Sequence, residues 1–590
     1  MCSNEAMSMT PLECLEKYYG HSSFRATQKE IISTVMAGHD ALALMPTSGG
    51  KSVCFQIPGL LRPGICIVVS PLISLMKDQV DNLHKKGIRA TMITSESDEA
   101  ERNSAFVAAR NDRLDFIYVS PERMMTQSMI DLISEKEIAL FAIDEAHCVS
   151  TWGHSFRPEY SRLAEVMAFS PDTPRLAVTA TANEQTQKDI YELLELDGPV
   201  FVQSFLRENI TISCSENDSQ DIIDDNILQE VVKNRDSKGI IYCLTRKECT
   251  RIGDFLTAQG LRAHVYHAGL EREDRELVQA RFAHGPTSIM IATMGFGMGI
   301  DIPDIRYVIH NGLPGTAEAY YQEIGRGGRD GRQSKAIAFY TPGTTEYIRK
   351  QCDARDNAFH NARNYAQALL GNTCRVQGIM KCLGETIAEP CGKCDACKRP
   401  AFDMSSEESI DIIDHILRIT RDGQQNLSLK DYVDMEDQRA SSLHNMDQAF
   451  INGFIDYDTP YNQFAKSKIC LSEKGLSWLN GERSPVLLVG REFPEMKNEI
   501  AIDTKLYTER QKQVFNALVG IRETIALDTG IPDQDILSDG AINELTLYPV
   551  STVNMLHNIK GSNIPERYAE RIMDALSTGR RQKKTHKLFL

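Results

Sequence analysis

The sequence predicts an α/β protein, with two tandem parallel-sheet lobes followed by smaller helical and mixed modules. Three observations carry that expectation. Short β-prone apolar runs alternate with helical stretches through roughly the first 340 residues. The runs form two series of five, at 41–45, 65–69, 116–119, 138–143 and 176–178, then 240–243, 264–266, 289–292, 307–309 and 337–340. They are unbroken rather than alternating, as strands buried on both faces of a parallel sheet are.

The lobes are delimited at 1–208 and 209–342, with a polar stretch at 215–220 near the change of series. A cysteine-bearing helical segment covers 343–403, a mixed module 404–483, a linker 484–504, a helical module 505–578 and a basic tail 579–590. At 590 residues, 42% hydrophobic and 25% charged, the chain has ample material for several cores. No apolar run approaches the ~20 residues of a membrane span, and residues 1–5 lack a signal peptide's basic and apolar regions. A soluble, intracellular protein with no membrane partner is expected. The net charge of −16 argues against coating nucleic acid by bulk electrostatics, though not against a local basic track.

The first reactive motif follows the first run. Met45-Pro46-Thr47-Ser48-Gly49-Gly50-Lys51-Ser52 lies between a strand and a helical stretch, where a phosphate loop belongs. Glycines let backbone N–H groups close on phosphate oxygens, and the next helix adds its positive N-terminus. In this reading Thr47, Gly49 and Gly50 cradle phosphates, Lys51 reaches the β and γ groups, and Ser52 ligates magnesium.

The run at 138–143 ends in Asp144-Glu145-Ala146-His147. Strand-terminal carboxylates hold magnesium and orient the attacking water in many nucleotide hydrolases. Trp152, His154, Phe156 and Arg157 follow closely, a cluster able to stack on bases and touch phosphate. Trp152 is one of only two tryptophans, and a buried Trp beside a capping Arg is the plainer reading. In the second series, Gln322-Glu323-Ile324-Gly325-Arg326-Gly327-Gly328-Arg329-Asp330-Gly331 sets Arg326 and Arg329 at helical spacing. Guanidinium groups there could meet the charge of phosphoryl transfer, or simply form a surface ion-pair helix.

Cys374, Cys391, Cys394 and Cys397 have the spacing C-x16-C-x2-C-x2-C. Four thiolates suit a closed tetrahedral structural zinc site, and iron–sulfur clusters also use four cysteines. Cys382 falls at a helix position and reads as core. The remaining cysteines are mostly scattered singly, as reduced core thiols would be.

Together the GGKS loop, the DEAH run with its aromatic segment and the QxxGRxxRDG run resemble a RecQ-type DNA helicase of helicase superfamily two. Further stretches are similar in order: 24–28 (FRATQ), 70–79, 120–123, 179–181, 266–270 and 292–301. The resemblance implies RecA-like lobes, with Gln28 and Arg25 at the adenine of ATP and His21 stacking on it. It also implies Gly299 and Asp301 on the nucleotide side, and DNA-backbone contacts from 70–79 and 120–123. After the lobes it implies a zinc platform, a winged-helix-like module whose hairpin centres on 461–464, and an HRDC-like helical domain. Implied cofactors are ATP with Mg2+ and structural Zn2+. Implied partners are single-stranded and forked DNA, with a single-stranded-DNA-binding protein or other repair proteins. The setting would be cytoplasmic and nucleoid-associated in a bacterium, nuclear in a eukaryote.

The sequence departs from the family pattern at Met45, Ser48, His21, Ser155 and Leu206-Arg207-Glu208, none of which removes a reactive group. The implied function is ATP-driven 3′-to-5′ translocation on single-stranded DNA that unwinds duplex or branched DNA in recombination and repair. A translocase without strand separation, an RNA helicase, or a DNA-structure-binding scaffold with a vestigial ATPase are the alternatives. A stacked base is worth ~1–3 kcal/mol. Trp152→Ala should therefore raise the DNA concentration needed to stimulate ATP hydrolysis about tenfold while sparing DNA-free hydrolysis. Steady-state rates with and without single-stranded DNA check this, and equal loss of both would make Trp152 a core residue.

Overall fold

Seven strands build the first sheet: β1 (Ala41–Leu44), β2 (Ile65–Val69), β3 (Ala90–Ile93), β4 (Phe116–Val119), β5 (Ile138–Asp144), β6 (Arg175–Thr179) and β7 (Val200–Val202). Their order is β3-β4-β2-β5-β6-β1-β7, and every pairing is parallel. The unbroken apolar runs have a direct physical reading. Along β2, Ile65, Ile67 and Val69 pack into one core while Cys66 and Val68 pack into another, so both faces are covered. Each such side chain contributes roughly 1.5–3 kcal/mol on burial. The computed structural model describes all residues except 1–8, 26, 47–48, 150–156, 181, 183, 286–288, 295, 297–301, 352–357, 399–405, 423–426, 436–438, 459–466, 483–508, 530, 532–535, 538–540, 543–544, 547–563 and 582–590.

The second sheet contains β8 (Ile210–Glu216), β9 (Lys238–Cys243), β10 (Ala263–Tyr266), β11 (Ile289–Ala292), β12 (Ile305–Asn311) and β13 (Ser334–Tyr340). Its order is β10-β11-β9-β12-β13-β8, again parallel throughout. β8 pairs with β13 from Ile210 to Glu216, so the second sheet starts before the polar stretch at 215–220. That stretch ends an edge strand and is not the joint between the sheets. Three strands were not expected from the sequence: β3, β7 and β8.

Helices Thr344–Gln351, Ala358–Leu370, Arg375–Cys382 and Asp395–Lys398 follow the second sheet. The next module has helices Ser406–Asp422, Leu429–Asp434 and Arg439–Ile451, an antiparallel pair β14 (Ile455–Asp458) and β15 (Lys468–Leu471), and helix Glu473–Leu479. The tip expected at 461–464 lies outside the described residues. Trp478, the second tryptophan, is buried here and donates to Asp414 Oδ1 at 2.6 Å. Helices Glu509–Thr529 and Glu566–Arg581 share a separate core that includes Leu518, Ile525, Ile542 and Ile572. Among the described residues, no helix is long and apolar enough to cross a membrane.

Helix Arg439–Ile451 is turned into the molecule. Buried Asp447 accepts from the backbone N–H groups of Gly343 (2.7 Å) and Thr345 (3.1 Å), capping the start of helix Thr344–Gln351. One turn earlier, His444 Nδ1 lies 2.9 Å from Glu216 Oε2 at the end of β8. Leaving buried donors without an acceptor costs ~1–3 kcal/mol. Asp447→Ala should therefore destabilise the chain by about 2–3 kcal/mol, read as a lower denaturant midpoint, with little change where Glu482 is replaced by Ala.

Candidate active site and metal centre

The chain leaves β1, closes a short loop and enters helix Lys51–Leu61 at its charged end. Gly50 has φ 82° and ψ 35°, a left-handed turn that swings the helix start back over the loop. A side chain at Gly50 would strike the Gln28 amide, and one at Gly49 would lie 2.9 Å from the Pro46 carbonyl. Gln28 is itself tied to this loop. Its Nε2 donates to the carbonyls of Gly49 (3.2 Å) and Gly50 (3.3 Å), and its Oε1 accepts from Arg25 N–H (2.8 Å). The glutamine expected at the adenine edge here holds the carbonyls of Gly49 and Gly50, and His21 and Arg25 are exposed.

β5 delivers Asp144 and Glu145 to the same place. Lys51 Nζ lies 3.5 Å from Glu145 Oε1. Glu145 has φ 49°, a left-handed conformation costing of order 1–3 kcal/mol in a residue with a side chain. Its N–H donates to Asp144 Oδ1 at 2.9 Å, so the turn folds the two carboxylates against one backbone step. Burial first, and then the Glu145 charge, push Asp144 up to about 6. Burial would also raise Glu145, but Lys51 and His147 hold it well below the usual carboxylate range.

His147 was not singled out in the sequence. Its Nδ1 lies 3.3 Å from Glu145 Oε2 and 2.9 Å from Thr179 Oγ1 at the end of β6, linking the carboxylate to the 179–181 stretch. Burial would lower the His147 pKa, yet contacts with Cys148 and Glu145 raise it. The second lobe reaches this point through helix Ala317–Ile324: Glu318 is close enough to His147 for its charge to act on the Glu318 carboxyl, which burial raises. Tyr160 closes the back of the site by donating to the Asp144 carbonyl at 3.0 Å.

Arg326 and Arg329 lie beside the end of β9, where both act on the Tyr242 phenol, itself pushed up to about 12 by burial. Their loop is held by residues that sequence reasoning passed over. Arg207 donates to the carbonyls of Gly325 (3.3 Å), Gly327 (3.0 Å) and Gly328 (3.0 Å), and Asn209 to those of Gly328 and Arg332 (both 2.8 Å). Arg207 falls within the departure at 206–208, the one sequence signal that pointed near it. Arg157 meets Glu122 of the 120–123 loop at 3.3 Å. Thr47, Trp152, His154, Phe156, Gly299 and Asp301, with Ser48 and Ser155, lie outside the described residues.

The sulfurs of Cys374, Cys391, Cys394 and Cys397 all lie within 4.8 Å of one another, and Cys391 Sγ is 4.0 Å from Cys397 Sγ. Metal–sulfur bonds of ~2.3 Å in a tetrahedron place thiolates about 3.8 Å apart. The cage therefore fits one ion and is tight for a multi-iron cluster. Burial would raise the Cys374 thiol, but N–H groups of Cys391 and Gln377 bring it down to about 7, while burial raises the thiols of Cys391, Cys394 and Cys397. Cys382 lies outside this group and packs against the apolar core.

Two tandem parallel-sheet lobes with charged residues gathered at the strand ends of the first are the build of a nucleotide-driven helicase. The family model for DEAD/DEAH box helicases matches residues 25–190, and that for the helicase conserved C-terminal domain matches 223–331. The chain is 33% identical to the ATP-dependent DNA helicase RecQ of Pasteurella multocida over 97% of its length and 94% of that protein. It is 36% identical to the RecQ-like DNA helicase BLM of Xenopus laevis over 71% of its length and 32% of that protein. The fold is similar to the solved DEAD-box helicase Mss116 bound to ssRNA and UDP-BeF, at TM-score 0.50 and 15% identity, covering 82% of this chain and 95% of that one. The chain belongs to the RecQ family of ATP-dependent DNA helicases. Helicases of this kind hydrolyse ATP with magnesium, and Ser52 and Asp144 offer the hard oxygen donors that ion takes.

Lys51→Ala removes the one cation placed on Glu145 from the loop. ATP turnover should fall by about 10³-fold or more, while DNA binding measured without nucleotide stays within about twofold.

Proposed function

We propose that the chain hydrolyses ATP in the cleft between its two lobes and uses the cycle to move 3′-to-5′ along single-stranded DNA, unwinding duplex or branched DNA in recombination and repair. The observation that carries this reading is the gathering of Lys51, Asp144, Glu145 and His147 at the strand ends of the first sheet, with Lys51 3.5 Å and His147 3.3 Å from Glu145. Lys51 would bind the β and γ phosphates, with Ser52 and Asp144 holding magnesium, which would neutralise phosphate charge when bound. Glu145, kept ionised by Lys51 and His147, would orient the attacking water and accept its proton. Arg326 and Arg329 would answer the charge that builds on the γ-phosphate, a contribution of ~10³–10⁵ in rate in other enzymes. His147 and Thr179 would pass the loss of that phosphate towards the strand ends, where 70–79, 120–123 and the 152–157 segment would touch DNA.

In this reading residues 1–208 and 209–342 are the motor lobes, 343–403 a zinc subdomain held by Cys374, Cys391, Cys394 and Cys397, and 505–578 an HRDC-like domain. The buried setting of helix Arg439–Ile451 favours a structural role for 404–483, with duplex contact left to its hairpin. ATP hydrolysis and strand separation on 3′-tailed DNA and RNA duplexes test the proposal. DNA-stimulated hydrolysis with separation of 3′-tailed DNA is expected. Hydrolysis indifferent to DNA would sink it, and hydrolysis without separation would leave a translocase.

A further inference from the structure

The chain passes between the sheets at 203–209, and its hydrogen bonds change owner in one step. Gln203 N–H donates to the Leu44 carbonyl of β1 at 2.9 Å, so it still belongs to the first sheet. From Ser204 onward the chain bonds to the cysteine-bearing subdomain and to the second lobe. Ser204 Oγ donates to Glu385 Oε1 (2.6 Å) and Phe205 N–H to Glu385 Oε2 (2.7 Å), both oxygens of one carboxylate in the cysteine-bearing subdomain. Tyr321 of the second lobe donates to the Phe205 carbonyl at 2.7 Å, with its ring edge-on to Phe205 at 6.0 Å. Lys393, between Cys391 and Cys394, donates to the Glu208 carbonyl. Arg207 completes the set by holding the loop that carries Arg326 and Arg329.

We infer that Glu385 is a positioning residue: it bolts the inter-lobe segment to the metal subdomain, so that lobe closure pivots at Gln203–Ser204 and carries Arg207, Arg326 and Arg329 as one body. A carboxylate that takes both a hydroxyl and a backbone N–H fixes direction as well as distance. Without it, Ser204 to Arg207 gain freedom, and the arginines arrive at the γ-phosphate imprecisely, where a misplacement of about 1 Å costs on the order of 10²-fold. Nucleotide affinity, set by the phosphate loop on the other side of the pivot, is not touched. The inference rests on the ATPase reading above.

The test compares the full chain with Glu385→Ala, measuring kcat and KM for ATP at saturating 3′-tailed DNA, with zinc per chain. The expected result is a fall in kcat of about tenfold or more, with KM within about twofold and zinc unchanged. An unchanged kcat overturns the inference. Should Glu385→Ala lose zinc, Ser204→Ala, outside the metal subdomain, carries the same decision: a fall of about threefold in kcat supports it and an unchanged kcat overturns it. Absence of DNA-stimulated hydrolysis in the unaltered chain would instead overturn the ATPase reading itself.

Discussion

Two adjacent carboxylates at the end of a buried strand are the constraint around which the first lobe is arranged. Left to itself, burial drives such groups towards protonation, as it does Asp144. Lys51 and His147 supply the opposing charge at Glu145. A unit pair about 4 Å apart is worth roughly 4 kcal/mol of gross attraction at an effective dielectric of 20. The left-handed turn at Glu145 costs of order 1–3 kcal/mol, and the attraction works against both that strain and the desolvation of the carboxylate. The same demand explains Gly50. Only a left-handed step there starts the helix with Lys51 aimed along β5, and only a residue without a side chain leaves room for Gln28 behind it.

A site split between two lobes needs its halves registered by something other than the site. Here the registration is built from the backbone outward. Arg207 gives its guanidinium to three carbonyls of the 325–328 loop, groups that a turn without regular structure would otherwise leave to water. Burial weakens the hold of Arg207 on its proton, but the carbonyl dipoles around it fit a planar fork as no lysine could. The two arginines proposed for phosphate therefore sit on a loop whose carbonyls at 325, 327 and 328 are already held by Arg207.

Legibility in the sequence followed the range of the interactions. Runs 65–69, 116–119 and 289–292 coincide with β2, β4 and β11 because these interior strands are apolar on both faces. β3, β7 and β8 lie at sheet edges, where exposure dilutes the apolar signal. Val200 and Val202 are exposed, and β8 reads ITISCSE, with polar residues at alternate positions. Lys51, Asp144 and Glu145 were legible because a loop after a strand and a charge at a strand's end are local patterns. Glu385 and Arg207 were not. Their partners lie 181 residues away at Ser204 and 120 away at Gly327, and no spacing rule joins them. Gln28 shows the other limit, since its residue type suits an adenine edge and a loop carbonyl equally well.

The cysteine cage gives the arrangement its last support. Between helix Arg375–Cys382 and the short helix Asp395–Lys398 the chain has no regular structure, yet it must hold Glu385 and Lys393 against the inter-lobe segment. Leu383, Ile387 and Cys394 anchor this loop against the apolar core, but the stretches between them have little to bury. Four thiolates converging within 4.8 Å, backed by Arg375 paired with Asp395 at 2.9 Å, tie the later half of the loop to the start of helix Arg375–Cys382. A metal held there stiffens the loop by closing it rather than by packing it, the usual remedy where a core is too small. Placed beside the proposed pivot, such a cage would act through geometry, setting where the segment from Ser204 to Glu208 can lie.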